Sequence, residues 1–344
     1  MVLLRNLAAW GRPVSAIVVG DRMEDEALLH GWGIRTLMDH DFQGDVARLA
    51  GELSLAEVIV DGVLGTGITG PPRERQGFAI QGMNRSDAPV MALDIPSGVD
   101  AATGAIPGDA VLAAVTVAFG GAKLGSLLHP GRALTGRLLA VEIGFPPVSE
   151  NSFQANLITP GWVSRRLPRR EPDTHKNAVG ALLLVAGHSG MAGAAILAAR
   201  AALRTGVGFL RVASPPENRG ILQEAVPEAV YVDSSDRAAL REAVEASRAI
   251  GLGPGMGTEE REQDTLNRVL EMDGGQALLL DADGLNMLAM GFGPSMEAIG
   301  RSRDVILTPH PGEMSRLMGI EIRDITKGRP QVALQFAEQT GCTV

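Results

Sequence analysis

Short apolar runs, each closed by glycine or another turn residue, alternate with segments of helical periodicity along almost the whole chain: SAIVVG, VIVDGVLG, VMALDIPSG, VTVAFGG, GALLLVAG, FLRVAS, AIGLGPG, ALLLDADG and VILTPHPGE. A short apolar run between turn signals reads as a strand buried on both faces, and a strand-helix-strand rhythm yields parallel sheets joined by right-handed crossovers. The expected fold class is therefore α/β, with two parallel-sheet units in tandem. The rhythm fails from Pro146 to Asn177, where FPPVSENSFQ and RRLPRREP are rich in proline and charge. A boundary near residue 150 divides the 344 residues into 1–150 and 151–344, each long enough to bury a core.

Both ends read as cut elements. Val2, Leu3, Leu4, Leu7 and Ala8 have helical spacing with no capping residue before them, and PVSAIVVGD then stands where a second strand belongs. At the other end RPQVALQFAEQTG reads as a helix with Gly341 past its C-terminus, and CTV begins a strand. The expectation is an internal portion of a longer protein, truncated in both units.

Acidic residues exceed basic ones, 40 to 31, for a net charge of −9, which argues against a nucleic-acid groove and against an anionic membrane surface. The most apolar stretch, 110–122, falls well short of the ~20 residues of a spanning helix and reads as a buried strand between Asp109 and Lys123. The N-terminal MVLLRNLAAWGRP has no cleavage site of the signal-peptide kind. Cys342 is alone, so no disulfide closes within the chain and no cysteine zinc cage forms, which fits a reducing, cytoplasmic setting.

In open parallel sheets ligands sit beyond the carboxyl ends of the strands, where glycine loops and helix N-termini converge. In the first half those positions hold VDGVLGTGITGPP and ALDIPSGVD. Gly65, Gly67 and Gly70 let backbone amides approach an anion, as in a phosphate loop, or they close a plain turn. Asp61 and Asp94, after neighbouring strands, with Ser97 nearby, make a hard-cation or a proton-transfer site, although each aspartate alone also reads as a helix cap. In the second half VAGHSGMAGAA opens an Ala-rich helix, GLGPGMG follows another strand, LLLDADGLNML carries Asp281, Asp283 and Asn286, and LTPHPGEMSRL carries His310 and Glu313. Pro309 and Pro311 stiffen the backbone around His310, as suits a fixed binding wall, and a turn histidine is the alternative.

Taken together, VDGVLGTGITGP, ALDIPSGVDAATG, FGGAKLG, HKNAVGALLLVAGHSGMAGAAILAARAALRTGVG, GLGPGMG, DADGLN and LTPHPGEMSRL resemble, in order, the motifs of the bifunctional NAD(P)H-hydrate repair enzyme family. The first half is similar to the Rossmann-like NAD(P)H-hydrate epimerase domain and the second to the ribokinase-like ADP/ATP-dependent NAD(P)H-hydrate dehydratase domain. The resemblance implies that the first unit interconverts R and S hydrates of NAD(P)H and the second dehydrates the S form at the expense of ADP or ATP. By the same resemblance, Asp61 and Ser97 hold a potassium ion, and Gly65, Thr66, Gly67, Ile68, Thr69, Gly70 and Pro71 meet the hydrate's phosphates. Asp94 contacts the substrate and is the acid/base. Ala194, Gly257 and His310 contact the hydrate in the second unit, with Asp283 lining the same crevice, and Mg2+ accompanies the nucleotide.

The family's Asn- and Gly-rich loop would precede residue 1, and its late glycine-rich anion hole and catalytic aspartate would follow GCTV, so impaired turnover is expected of this chain alone. Partners expected on this reading are the hydrates, an adenine nucleotide and a second copy of the chain in a homo-oligomer, with no nucleic acid and no membrane. Two other readings share parts of the pattern. A ribokinase-type small-molecule kinase would release a phosphorylated product, and a non-catalytic nucleotide-binding scaffold would bind without turnover.

Overall fold

The computed structural model describes residues 1–20, 29–68, 70–146, 155–168, 173, 179–272 and 275–344. Half of the proline-rich boundary stretch 146–177, and Thr69, lie outside the described residues. The chain forms two compact units, Met1–Asn156 and Leu157–Val344. No helix among the described residues is long and apolar enough to cross a membrane.

The first unit runs α1 (Val2–Ala9), β1 (Ser15–Val18), β2 (Arg35–Met38), α2 (Val46–Leu53), β3 (Ile59–Asp61), α3 (Glu74–Arg85), β4 (Val90–Leu93), β5 (Val115–Phe119), α4 (Gly131–Leu134) and β6 (Arg137–Val141). Every strand pairing is parallel, as the alternation requires: β1 with β2, and β3-β4-β5-β6 as a second sheet. Asp45 caps α2, its carboxylate accepting from Ala47 N at 2.9 Å and Arg48 N at 3.1 Å. The helix then packs on α3 at Gly82, where a Cβ would lie 2.4 Å from a methyl of the fully buried Leu49. Ile59, Ile80, Met83, Val90, Ala92 and Val111 form the core beneath. The apolar stretch 110–122 is a strand only over Val115–Phe119. Before it, the Asn84 side chain donates to Ala110 O at 2.8 Å and accepts from Leu112 N at 2.9 Å, taking the hydrogen bonds a neighbouring strand would make.

The second unit runs α5 (Pro160–Arg166), β7 (Ala181–Val185), α6 (Ala192–Thr205), β8 (Phe209–Ser214), α7 (Arg219–Ala225), β9 (Val230–Asp233), α8 (Arg237–Glu245), β10 (Ala249–Leu252), α9 (Glu260–Glu271), β11 (Ala277–Leu280), α10 (Asp283–Ala289), α11 (Met296–Ser302), β12 (Val305–Leu307), α12 (Pro311–Met318), α13 (Ile322–Lys327) and α14 (Arg329–Thr340). Its parallel sheet has the order β12-β11-β10-β7-β8-β9. The chain therefore builds outward from β7 in one direction through β9, then returns to the other side of β7 with β10. That reversal leaves a crevice beyond the carboxyl ends of β7 and β10. Ala195 and Ala199 of α6, both fully buried, have little side chain to hold the helix off the sheet, and Leu184, Leu210 and Val212 fill that face. Leu183, Ile250, Leu252, Leu278 and Leu280 fill the opposite one. Gly341 ends α14 with a left-handed backbone (φ 73°), and Thr343 then pairs with β12, its amide donating to Val305 O at 2.9 Å.

Candidate functional site

In the first unit the register places the carboxyl ends of β3, β4 and β5 side by side, Asp61 opposite Ala92 and Leu93 opposite Val117. Asp61 ends β3 and is 1% exposed. Its carboxylate accepts from Ser97 Oγ at 2.6 Å, Ser97 N at 2.8 Å and Val63 N at 3.2 Å. Ser97 Oγ in turn accepts from Leu64 N at 2.8 Å and lies 3.3 Å from Leu64 O. Burial pushes the Asp61 carboxyl above the usual carboxylate range, against the pull of these hydrogen bonds, and among the described residues no cationic side chain offsets it. The knot fixes the base of the loop that follows. Gly65, Thr66, Gly67, Gly70 and Pro71 are exposed and Ile68 half-buried, and among the described residues the amides of Gly65, Thr66 and Gly67 have no acceptor. Three such donors ahead of the N-terminus of α3 are suited to an anion.

Asp94 follows β4 in the left-handed region (φ 70°), one of only three non-glycine residues with positive φ among the described residues. The conformation carries its side chain to the next strand, where Oδ1 accepts from Phe119 N at 3.0 Å and pairs with Lys123 Nζ. Lys123 Nζ also donates to Phe119 O at 2.9 Å. The two carboxylates are thus electrostatically unlike: Asp61 is sealed and without a counter-charge, whereas Asp94 is half-buried and ion-paired. Lys123 stood in the sequence as a charge closing an apolar stretch and as part of the motif FGGAKLG, with no role of its own, and its distance of 29 positions from Asp94 gives no local signal.

A second pair closes the neighbouring strand ends. Asp39, after β2, is buried and accepts from Arg75 of α3, Nε to Oδ2 at 2.6 Å with a second bond from the same guanidinium, and from Gly20 N at 3.3 Å. Burial alone would raise the Asp39 carboxyl, but the Arg75 fork together with backbone hydrogen bonds from Gly20 and His40 outweighs it and holds the group below the ordinary range.

In the second unit the loops that follow β7, β10 and β11 meet at the β7/β10 reversal. After β7, Asn218 fastens the chain at His188, its Nδ2 donating to His188 O at 3.0 Å and lying 2.9 Å from Ser214 Oγ. After β10, the peptide turns at Gly253 (φ 126°), where a Cβ would sit 1.8 Å from Asp281 O, so no other residue fits. Ala194 meets Gly255, a Cβ on which would lie 2.5 Å from the alanine methyl, and the His188 ring lies 3.3 Å from the Cβ direction of Gly257. Gly257 N donates to Asp283 Oδ2 at 2.8 Å. Ala194, His188, Gly257 and Asp283 therefore form one contiguous wall. Asp283 follows Ala282, whose φ of 48° turns the chain sharply from β11 into α10.

His310 has a different environment from the others. It caps α12, with Nδ1 accepting from Gly312 N at 3.0 Å and Glu313 N at 3.3 Å, Nε2 3.1 Å from Glu313 Oε1, and its amide donating to Glu313 Oε2 at 2.8 Å. Its ring is 63% exposed and follows β12, two strand spacings or ~10 Å from β10. Arg316, one turn further along α12, donates to Asn286 Oδ1 at 2.8 Å, and Asn286 Nδ2 lies 3.3 Å from Asp283 Oδ1, which links the two loops indirectly.

Residues 2–125 match the family profile described as YjeF-related protein N-terminus, and residues 182–344 match the one described as NAD(P)H-hydrate dehydratase. The bifunctional NAD(P)H-hydrate repair enzyme of Moorella thermoacetica is 34% identical over 98% of this chain and 67% of its own length. That of Coxiella burnetii is 36% identical over 82% of this chain and 57% of its own length, and that of Escherichia coli 34% identical over 83% and 54%. An ADP/ATP-dependent NAD(P)H-hydrate dehydratase from Bacillus subtilis, crystallised with ATP and Mg2+, is 34% identical over 54% of this chain and 63% of its own, with a TM-score of 0.45. The chain spans between 54% and 68% of the length of eight curated relatives, these among them. With both domain profiles in order along one chain, and a relative matched over two thirds of its length, this protein belongs to the bifunctional NAD(P)H-hydrate repair enzyme family.

Proposed function

We propose that the chain acts on hydrated reduced pyridine dinucleotides, the first unit interconverting the R and S hydrates of NAD(P)H and the second removing water from the S form at the expense of ADP, in a cytoplasmic setting. The observation that carries this reading is the unlike carboxylate pair beneath a loop of free amides. An anion-binding loop for a pyrophosphate and an accessible carboxylate for proton transfer stand at adjacent strand ends.

The hydrated carbon bears a hydroxyl and the ring nitrogen, so it epimerises when its C–O bond breaks and re-forms from the other face. The hydroxyl takes a proton and departs as water while the nitrogen lone pair closes a C=N bond; water then adds to the opposite face and returns a proton. One group, changing protonation state between the two halves, balances the exchange. Asp94 fills that role, because Oδ1 is fixed by Phe119 N and Lys123 while Oδ2, among the described residues, accepts nothing. The loop from Gly65 through Pro71 holds the phosphates. The residues at Asp61 suit a potassium ion: a carboxylate with no cationic side chain against it, the Ser97 hydroxyl and the Leu64 carbonyl are all hard oxygen donors. Such an ion, when bound, supplies positive charge beneath the phosphate loop.

In the second unit Ala194, Gly257 and Asp283 receive the hydrate and exclude water from one side of it, with His310 at the rim. The nucleoside phosphate supplies the group that makes the ring hydroxyl a leaving group. Among the described residues no three His, Cys, Asp or Glu side chains cluster to hold a metal ion, so Mg2+ would arrive with the nucleotide's own phosphates and no step is assigned to it.

Incubation with a mixture of both hydrates tests the reading. Without ADP the epimers should equilibrate faster than in buffer; with ADP and Mg2+ both should disappear and the absorbance of the reduced nicotinamide return. A stable phosphorylated product would establish the kinase reading instead. Binding with neither interconversion nor dehydration would establish the scaffold, and either result refutes repair.

A further inference from the structure

We infer that Lys123 is the second half of the first unit's site, a positioning residue for Asp94 whose remaining ammonium proton recognises a hydroxyl group of the bound ligand. The inference rests on the functional reading above for the identity of that ligand and on the geometry for the rest. An ammonium has three N–H donors. Lys123 directs one to Asp94 Oδ1 and one to Phe119 O at 2.9 Å, and among the described residues the third has no acceptor. Asp94 is its complement: Oδ1 is occupied by Phe119 N and Lys123, and Oδ2 is open. Side by side at the ends of β4 and β5, the pair offers one donor and one acceptor. A hydroxyl uses both, donating to Oδ2 and accepting from Nζ, whereas an unhydrated ring carbon uses neither.

Burial supports the assignment. The side chains of Lys123 and Asp94 are 21% and 23% exposed, open enough to be reached and sheltered enough that an unpaired charge on either would be costly. The ammonium also divides labour with the neighbouring aspartate. It faces Asp94 and not Asp61, so the proton-transferring carboxylate has a fixed counter-charge of its own while the sealed one is left for a cation.

The chain has three lysines, Lys123, Lys176 and Lys327, so amine labelling read by mass spectrometry resolves each of them. Reductive methylation of the full chain is measured with and without the epimeric NADPH hydrate mixture, whose binding is followed separately by equilibrium dialysis. Saturating hydrate should slow labelling of Lys123 at least fivefold and leave Lys327, an exposed side chain, unchanged. In D94N the unliganded rate at Lys123 should rise, because asparagine offers no charge to hold the ammonium. In epimerisation, K123M should lose at least tenfold in kcat with KM within threefold, and K123R should recover most of it.

Binding of the hydrate without protection of Lys123, or a wild-type kcat in K123M, overturns the inference while leaving the functional reading intact. Full epimerisation by D94N removes the acid/base assignment of Asp94 and, with it, the positioning role of Lys123. A chain that does not bind the hydrate at all refutes the functional reading and the inference together.

Discussion

Replacing Asp61 by asparagine separates the charge of the sealed carboxylate from its shape. The carboxylate accepts three hydrogen bonds at 1% exposure with no cationic side chain against it among the described residues, and burial drives its pKa up from 3.8. The folded state therefore holds the proton more tightly than the unfolded chain. Without a bound cation, this group's contribution to the first unit's stability is full below about pH 4 and is lost as pH rises through the raised folded value. D61N carries no charge and still offers an acceptor to Ser97 N but turns its NH2 toward Val63 N, one stranded donor at ~1–3 kcal/mol, so its stability at neutral pH should lie between wild type and Asp61→Ala, with that pH slope gone. Asp61→Ala behaves differently. It strands Ser97 N and Val63 N, while Ser97 Oγ turns to Leu64 O at 3.3 Å, and two stranded buried donors at ~1–3 kcal/mol each cost about 2–6 kcal/mol. Potassium at a hundred times its Kd should add ~2.7 kcal/mol to wild type and nothing to D61N. The assay is hydrogen exchange at the amides of Val63, Leu64 and Ser97 across a urea series, in potassium and in tetramethylammonium salts. If D61N proves as unstable as D61A in potassium-free buffer, or both wild type and D61N gain equally from potassium, the idea of an uncompensated charge awaiting a cation is wrong.

Gly253→Ala should unfold the second unit at a markedly lower temperature. Its Cβ would lie 1.8 Å from Asp281 O at a φ of 126°, and moving a backbone carbonyl in addition to the conformational strain costs roughly 3 kcal/mol or more; a melting midpoint for that unit within a degree of wild type would show the turn to be adaptable. Tyr231 is the chain's single tyrosine, and burial first, then Asp233, push its hydroxyl up to about 12. Alkaline titration of tyrosinate absorbance should find that midpoint, and the hydroxyl's stabilising contribution should be complete below about pH 10 and vanish as pH rises through 12. A midpoint at the ordinary tyrosine value would mean that the hydroxyl is solvated and its bond to Ser214 O, 3.0 Å, is not kept in solution.

The tandem parallel sheets and the repair-enzyme family were legible because the central strands are apolar on both faces and their exits carry glycine and aspartate at spacings that the alternation itself exposes. Three strands gave no such signal: Arg35–Met38, Arg137–Val141 and Val230–Asp233. RTLM and VYVD mix polar with apolar residues, and the apolar LLAV of RLLAV runs on into Glu142 rather than closing on glycine or another turn residue. Strand-end placement brought Asp61, Asp94 and Ser97 toward one crevice, whereas the pairing of Asp61 with Ser97 came from the family resemblance. The left-handed backbone at Asp94 could not be read, since nothing in DIPSG marks φ at one residue, and without that bend its reach to Lys123 is invisible. His310 was legible as a stiffened position between prolines but not as a helix cap, because imidazole is a rare substitute for the hydroxyl or carboxylate of a capping box.

The notch at Gly82 fixes more than a helix crossing. Leu49 occupies the place of the missing side chain, so α3 cannot slide or rotate along α2 without driving the leucine into Cβ atoms on either side. Gly82 lies ~12 Å along the axis from the first residue of α3, immediately downstream of the free amides. The aim of those donors is thereby indexed by an apolar peg, and substitutions at Leu49 that only loosen the fit would blur anion recognition before they melted the unit.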